Sequence, residues 1–487
     1  MAKATKDPND VFSPCTGWMR MHEHWQLPDT LLGGTLAMRA AGKTYLPKEP
    51  KEKQQKWQAR LDRSVLYNGY EDSLDNLTSR PFSREVAIAI DLPESLQVLE
   101  DDCDGFGTSF HNFTRGCYYE AVHRGIVHIL VDFPPAPAER TKEDEQKWGV
   151  RPYFRMVTSP ELIGWRFESF SPYAPPVLSQ IRIKEDVVEP DGAYGDQETS
   201  YVKVIERDKW ERHKKTDNSN TTIVESQGVN TLGKIYMVSI YFNKSKNKLM
   251  VAKPCLEGLA WMNLAHWQSY SDQRNILRFA RTGILFGKGM KEEDVNKDIT
   301  IGPNFSFLTE SENADLSYVE HNGNAIEAGE HDIESIEAKM NQLGMQPFIS
   351  STKEETATGK EIDESRNQSD VQTWIMAMEQ GIVDALKLAY EWIDEEPPDD
   401  LDVDIYSDFS VVTRGTQDLD TIDKGRARGD ISQRTYLNEC KRRDVLSETV
   451  DVDQEVEDTK GETMSGGIPF NPEKSLEPGS EKNGEEQ

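Results

Sequence analysis

The stretch LEGLAWMNLAHWQSYSDQRNILRFA, residues 256–280, decides how the rest of the chain is read. Leu256, Leu259, Ala260, Trp267 and Tyr270 recur at three- and four-residue steps, the spacing that lines one face of an α-helix. Pro254 precedes the run, where a missing N–H does no harm, and Gly283 follows it, where a left-handed residue can close a helix. Downstream, Ile326, Ile333, Ile336, Met340 and Leu343 form a second stripe set among Glu327, Glu330, Asp332, Glu334 and Glu337, which predicts an acidic amphipathic helix. The insert between the two, 287–323, alternates polar and apolar residues in DITIGPNFSFLTE (298–310) and DLSYVEH (315–321). It predicts short strands about a turn at Gly302 and Pro303. A third helix is predicted over 371–393 from Val371, Trp374, Ile375, Met378, Ile382, Leu386, Ala389 and Ile393, with Ser369 or Asp370 as N-cap and Pro397 beyond its end. The stretch MQPFISSTKEETATGKE (345–361) that separates it from the second helix is too polar and too punctuated to be core.

A chain of 487 residues is longer than one hydrophobic core usually organises, so two or more packed units are expected. Only 36% of it is apolar and 29% is charged, with 56 basic residues against 86 acidic ones and a net charge of −30. Such a surface does not seek phosphate, because nucleic-acid binding by counterion release needs clustered Lys and Arg. No run of 18 apolar residues occurs, and MAKATKDPNDVF has no apolar segment of a secretory signal, so neither a membrane span nor export is expected. The five cysteines, at 15, 103, 117, 255 and 440, are scattered without a C-x-x-C pair and read as small buried hydrophobes in a reducing compartment.

Outward from the central stretch, residues 11–80 read as mostly helical. GGTLAMRAAGKTYLPK forms a break, and an amphipathic run carries Trp57, Leu61, Val65, Leu66, Leu74 and Leu77. EVAIAID reads as a strand, a helix follows with Phe106, Phe110, Phe113, Cys117 and Val122 on its face, and RGIVHILVDFPP is the best strand of the chain. From 153 to 242, alternating segments separated by turn chemistry such as PDGAYGD predict a meandering antiparallel sheet. The fold class is therefore α+β. DDLDVDIYSDFSVVT offers one late strand, 418–447 reads as two short helices joined at Gly429, and the acidic, Gly- and Pro-containing end is expected to be disordered.

Signatures of catalysis are sparse. His22 and His24 stand two residues apart on a helix and point to different faces, which disfavours a metal pair. Asp402, Asp404 and Asp408 alternate along a strand and share a face, as a two-metal phosphoesterase requires, but a solvated edge kept from pairing is the favoured reading. No phosphate-binding G-x-x-x-x-G-K-[ST], G-x-S-x-G or H-E-x-x-H occurs, and GFGTSF (105–110) lacks the third glycine of a dinucleotide fingerprint and is read as a turn. No cofactor, metal site or catalytic residue is assigned.

Three stretches resemble the tailed-bacteriophage portal (head-to-tail connector) proteins, of a branch formerly catalogued as a domain of unknown function. MRAAGKTYLPK (38–48) is similar to that branch's opening segment. KPCLEGLAWMNLAHWQSYSDQRNILRFARTGILFGKGM (253–290) resembles its proline, leucine-rich start, N-L-A-H core and closing small-residue turn. ETATGKEIDESRNQSDVQTWIMAMEQGIVDALKLAYEWI (355–393) resembles its Thr-Ala-Thr break and long helix. In that family twelve copies ring a channel at one capsid vertex, through which double-stranded DNA is packaged and later ejected.

The resemblance implies a portal fold assembled as a ring. Its parts would be a wing over 1–254, a first stem helix over 255–286, a clip over 287–324, a second stem helix over 325–345 and a tunnel loop over 346–364. A long helix and wing strand over 365–416, a crown over 417–450 and a disordered acidic tail over 451–487 would follow. It implies, as partners, copies of the chain itself, the major capsid protein, the terminase large subunit, a head-to-tail adaptor and the DNA in transit, with no membrane. Expected positions are Ser350, Ser351, Thr352, Lys353, Glu354 and Lys360 facing DNA, with the two lysines as its transient phosphate contacts. Asn304, Phe305, Phe307 and Glu310 would meet a partner at the clip, and Leu256, Leu259, Trp267, Tyr270, Ile333, Ile336 and Met340 would pack the stem. A metal-dependent phosphoesterase and another head-to-tail adaptor component remain alternatives at this stage.

Overall fold

The structure is a computed structural model that describes residues 10–133, 151–169, 171, 173–215, 222–246, 248–281, 284–289, 315–319, 324–345, 357–407, 422–426, 428–442, 446, 450 and 452–458. Two compact units divide the chain, Met1–Ser407 and Asp408–Gln487.

The first unit opens with α1 (Thr16–Leu32), α2 (Gly34–Ala41), α3 (Gln54–Leu61) and α4 (Gly69–Ser79). The expected break at GGTLAMRAA is instead the helix α2, since Thr35 to Ala41 are good or neutral helix formers and the glycines lie at its start. Gly69 begins α4, where Asn68 caps the Glu71 N–H. After β1 (Ala87–Ile88) and α5 (Glu94–Asp101), α6 (Phe110–Arg124) carries Phe110, Phe113, Cys117 and Val122 on its buried side. Phe106, expected on that face, lies before the helix in a turn and is 93% exposed. The Asp102 carboxylate accepts the N–H groups of Gly105 and Gly107 there, so the expected turn at GFGTSF is present.

Strand β2 (Ile126–Asp132) is the hub of the unit. Its first six residues are all buried, which requires cover on both faces. It pairs antiparallel with β3 (Tyr153–Val157) on one edge and β9 (Met237–Tyr241) on the other. The remaining strands, β4 (Leu162–Glu168), β5 (Val177–Asp191), β6 (Gly195–Glu206), β7 (Lys209–Lys215) and β8 (Thr222–Val229), form a five-stranded meander in chain order. The single sheet expected over 153–242 is thus two. Alternation identifies a strand but not its neighbour, and the two outermost segments are taken by the buried β2. Leu130 packs in one cluster with Ile181, Ile183 and Ile205 of the meander, and Ile126 packs with Met21 and Trp25 of α1.

Helix α7 (Glu257–Ala280) is followed by β10 (Ile284–Lys288), β11 (Asp315–Val319), α8 (Asn324–Met345) and α9 (Ala357–Trp392). Helix α9 starts before the N-cap expected at Ser369 or Asp370, so residues 357–364 of the expected loop are helical. The sequence from Ala357 to Asn367 is polar on every side and shows no stripe, but polarity does not forbid a helix. At the other end α9 seals the β2 sheet. Gly381 lies where an added Cβ would sit 2.4 Å from Ile240, and Trp392 Nε1 donates to the Val131 carbonyl at 2.7 Å. Strand β12 (Val403–Asp404) returns to pair with β1.

In the second unit residues 422–426 are helical, Gly429 adopts φ +83°, and α10 (Gln433–Arg442) follows, as the expected pair of helices joined at that glycine. The tail expected to be disordered begins with a short helix, α11 (Val452–Asp458), which packs on α10.

Candidate functional site

Helices α7 and α8 run antiparallel along their whole length. Leu259 lies beside Gly344, His266 Nε2 is 3.0 Å from a Glu337 carboxylate oxygen, and Gln273 Nε2 donates to the Ile326 carbonyl at 2.8 Å. At 1.5 Å per residue the 24 residues of α7 span about 36 Å. The two strands beyond them continue the pairing, from Ile284 opposite Val319 to Lys288 opposite Asp315. The result is one hairpin, helix to strand to strand to helix.

Close approach in this hairpin depends on missing side chains. A Cβ on Gly329 would come within 2.1 Å of the Gln273 amide, and one on Gly344 within 2.0 Å of Ser73 Oγ of α4. The Met340 methyl fills the space above Gly69 at the start of α4. Leu256, Leu259, Trp267, Ile336 and Met340 are buried as the stripes predict, while Tyr270 and Ile333 are partly exposed. The apolar face of α7 is therefore spent inside the chain, against α1, α4 and α8.

Polar residues that periodicity passed over hold α7 to its neighbours. Asn263, fully buried, donates from Nδ2 to the Tyr67 carbonyl at 2.8 Å and accepts the Tyr70 N–H at 2.9 Å, closing the first turn of α4. Ser271 Oγ accepts from Ser64 Oγ at 2.8 Å, and Asp272 accepts from Arg60 at 3.0 Å. The signal in the sequence is a set of polar residues at positions the helical spacing assigns to core or its margin, where each must find a partner.

Of the residues expected to face DNA, Lys360 lies on α9, in its first turn rather than in a loop. Ser350, Ser351, Thr352, Lys353 and Glu354, like Asn304, Phe305, Phe307 and Glu310 of the clip, lie outside the described residues.

Two arrangements have the residue types of catalysis. Tyr70 donates or accepts at His123 Nδ1 (2.9 Å), and His123 Nε2 meets the Asp29 carboxylate (2.9 Å), which also pairs with Arg124. Burial alone would raise the Asp29 carboxyl, but the His123 hydrogen bond and the Arg124 charge outweigh it and hold its pKa below the ordinary value. Burial pushes the Tyr70 hydroxyl well up; Tyr70 and His123 are both buried, and only the Asp29 carboxylate of the three reaches the surface. The triad ties α1, α4 and α6 together. In the acidic strand, Asp402 and Asp404 are exposed while Val403 and Ile405 are buried, and Asp408 lies outside the described residues. Among the described residues no three His, Cys, Asp or Glu side chains are grouped to hold a metal ion, and no helix is long and apolar enough to cross a membrane.

The model of a family described as a domain of unknown function, DUF4055, matches residues 255–393, under a third of the chain. No curated protein matches the sequence. Among solved structures, the chain is similar to one in the virion of a native gene transfer agent particle, at 8% identity and a TM-score of 0.39, covering 87% of this chain and 98% of that one. It is also similar to one in the neck of an empty gene transfer agent particle, at 7% identity and a TM-score of 0.41, covering 83% of this chain and 97% of that one.

Proposed function

We propose that this chain is a portal protein, a structural component of a virion with no catalytic role and no cofactor. Copies of it, twelve in the family pattern, close into a ring at one capsid vertex, around a channel that double-stranded DNA enters during packaging and leaves on ejection. The ring docks the terminase large subunit during filling, then the head-to-tail adaptor, and its wing contacts the major capsid protein. Assembly takes place in the host cytoplasm.

The observation that carries this reading is the hairpin of α7, β10, β11 and α8 followed by the long α9. That is the order of stem, clip, stem and long helix implied by the sequence resemblance, and the DUF4055 match spans the same segment. The charge supports it as well. A channel that lets DNA slide must avoid deep attractive wells, and a net charge of −30 supplies repulsion, screened beyond about 8 Å at physiological salt. Lys353 and Lys360 are the basic residues of the otherwise acidic 346–364 segment and touch phosphate in passing.

Removing the chain from cells that assemble its particle, then measuring nuclease-protected DNA per shell, tests the proposal. Shells without protected DNA are expected. DNA-filled shells that lack only tails would assign the chain to the adaptor instead. Restoring it as Lys353→Ala with Lys360→Ala is expected to reduce the protected DNA, and full packaging and infectivity would remove the phosphate contact from the account.

A further inference from the structure

The chain carries 86 acidic residues in 487, yet none lies between Glu225 and Glu257. That interval holds five lysines, Lys234, Lys244, Lys246, Lys248 and Lys253. Lys234 pairs with Glu391. The other four are exposed and form no ion pair among the described residues. Lys244 lies over the Tyr241 ring, 4.7 Å from its centroid, a contact that orients the ammonium without cancelling its charge. Glu257, the acid that ends the interval, is taken by His24.

All four lysines stand on one hairpin between β9 and α7. Its legs are tied by Lys253 N–H to the Asn243 carbonyl at 3.2 Å and by Ser245 N–H to the Val251 carbonyl at 2.9 Å, with Lys244 opposite Ala252. Lys248 N–H closes the turn on the Ser245 carbonyl at 3.3 Å, which gathers Lys244, Lys246 and Lys248 at the tip. The returning leg is packed down. Met250, Val251 and Ala252 are buried, Met250 N–H donates to the Tyr241 hydroxyl at 3.2 Å, and Ala252 N–H donates to the Met21 sulfur of α1 at 3.2 Å. Met250 holds φ +57°, a left-handed conformation that a residue other than glycine keeps only where its surroundings enforce it. The hairpin is therefore a fixed platform carrying four uncompensated cations.

Like charges held together on such a platform attract a polyanion. A protein surface fits it poorly, because interface cores are depleted in lysine and enriched in aromatic residues and arginine. Unpaired bases fit it poorly as well, since they stack on exposed aromatic rings and the exposed large apolar side chain of this hairpin is Leu249. Lysine ammoniums with Asn243 and Ser245 beside them are the groups that hold phosphate and sugar without reading sequence.

We infer that the hairpin 243–253 is a contact site for the phosphodiester backbone of a nucleic-acid duplex. The inference is independent of the portal reading, since it needs neither a ring nor a channel.

The test compares the full-length chain with Lys246→Ala/Lys248→Ala, two exposed positions whose loss leaves the Met250 anchor intact, and with Lys51→Ala/Lys53→Ala, which removes the same charge ahead of α3. Short fluorescent duplexes of DNA and of RNA, each in two unrelated sequences, are titrated by anisotropy over a series of salt concentrations, with circular-dichroism melts to confirm the fold. Saturable binding that ignores base sequence is expected, weakened roughly tenfold at low salt in the hairpin variant and unchanged in the other. The slope of log affinity against log salt becomes shallower by about 2, one for each lysine lost. Lys246→Arg/Lys248→Arg keeps the charge and binds as the native chain does. Tighter binding of the DNA or of the RNA duplex assigns the source of the backbone. No saturable binding of either duplex, an equal loss in the Lys51→Ala/Lys53→Ala variant, or hairpin-dependent binding of poly-glutamate in place of the duplexes overturns the inference.

Discussion

Gly125→Ala is expected to lower the thermal midpoint of the first unit by about 2–6 °C, the largest effect expected of a methyl group added at any described glycine. Gly125 ends α6 in the left-handed conformation, at φ +81°, and an alanine there would strain the backbone by about 1–2 kcal/mol. More severe is the space. An added Cβ would sit 1.9 Å from the Lys253 carbonyl oxygen and 2.7 Å from its carbon, backbone atoms that cannot rotate away. The Gly125 carbonyl also accepts the N–H groups of Phe242 and Asn243, and Cys255 N–H donates to Val122, so the strand leaving β9 and the approach to α7 are both anchored at this corner. Pushing Lys253 outward adds a further cost of about 1–3 kcal/mol and displaces the start of α7. Gly192→Ala provides the control. Gly192 has φ +75° but no atom within 4 Å, so it should lose about 1–2 kcal/mol only. Similar melting shifts in the two variants would refute the close approach.

The second large effect is a loss of stability in acid traced to His128. This side chain lies in β2, fully buried, with Nδ1 2.9 Å from Ser239 Oγ on β9. Burial disfavours the imidazolium and brings its pKa down to about 3, against about 6.5 in the unfolded chain. The unfolded state therefore binds the proton first. The stability that neutral His128 contributes is complete above pH 6.5 and is lost as the pH falls toward 3, by roughly 3 kcal/mol at pH 4.5. His128→Gln keeps a neutral partner for Ser239 and removes the titration. The difference between native and variant unfolding free energies, measured in urea at pH 7.5 and 4.5, should change by that amount. A difference independent of pH would mean that His128 already carries its charge when folded.

Periodicity made much of this architecture legible before any coordinates. The stripes of α7, α8 and the last two-thirds of α9 are apolar at helical spacing because each buries one face, and the first six residues of β2 are apolar apart from His128 because it buries two. What periodicity misses has identifiable physical causes. Strand β10, ILFGK, is short, sits between glycines 283 and 289 and contains Gly287, so it offers no alternation to detect. The first turns of α9, from Ala357 to Asn367, are mostly polar in sequence and leave no stripe. Strand pairing is set by which edges of β2 remain open, a property of the packed unit and not of the strands that fill them. The hydrogen bonds of Asn263 are half-visible, as a polar residue where a core residue is due, but its partners at Tyr67 and Tyr70 lie 196 and 193 residues away in the chain.

Electron cryomicroscopy of the purified full-length chain, averaged with and without imposed symmetry, tests the central claim most directly. The account predicts closed rings with an open centre, in which every copy contributes α7 and α8 as adjacent antiparallel rods, tied through the His266 to Glu337 contact and leading to the β10–β11 pair at one end of the ring. Particles that remain single globules at every concentration and ionic strength, or rings in which those two helices are parted from one another, would contradict it.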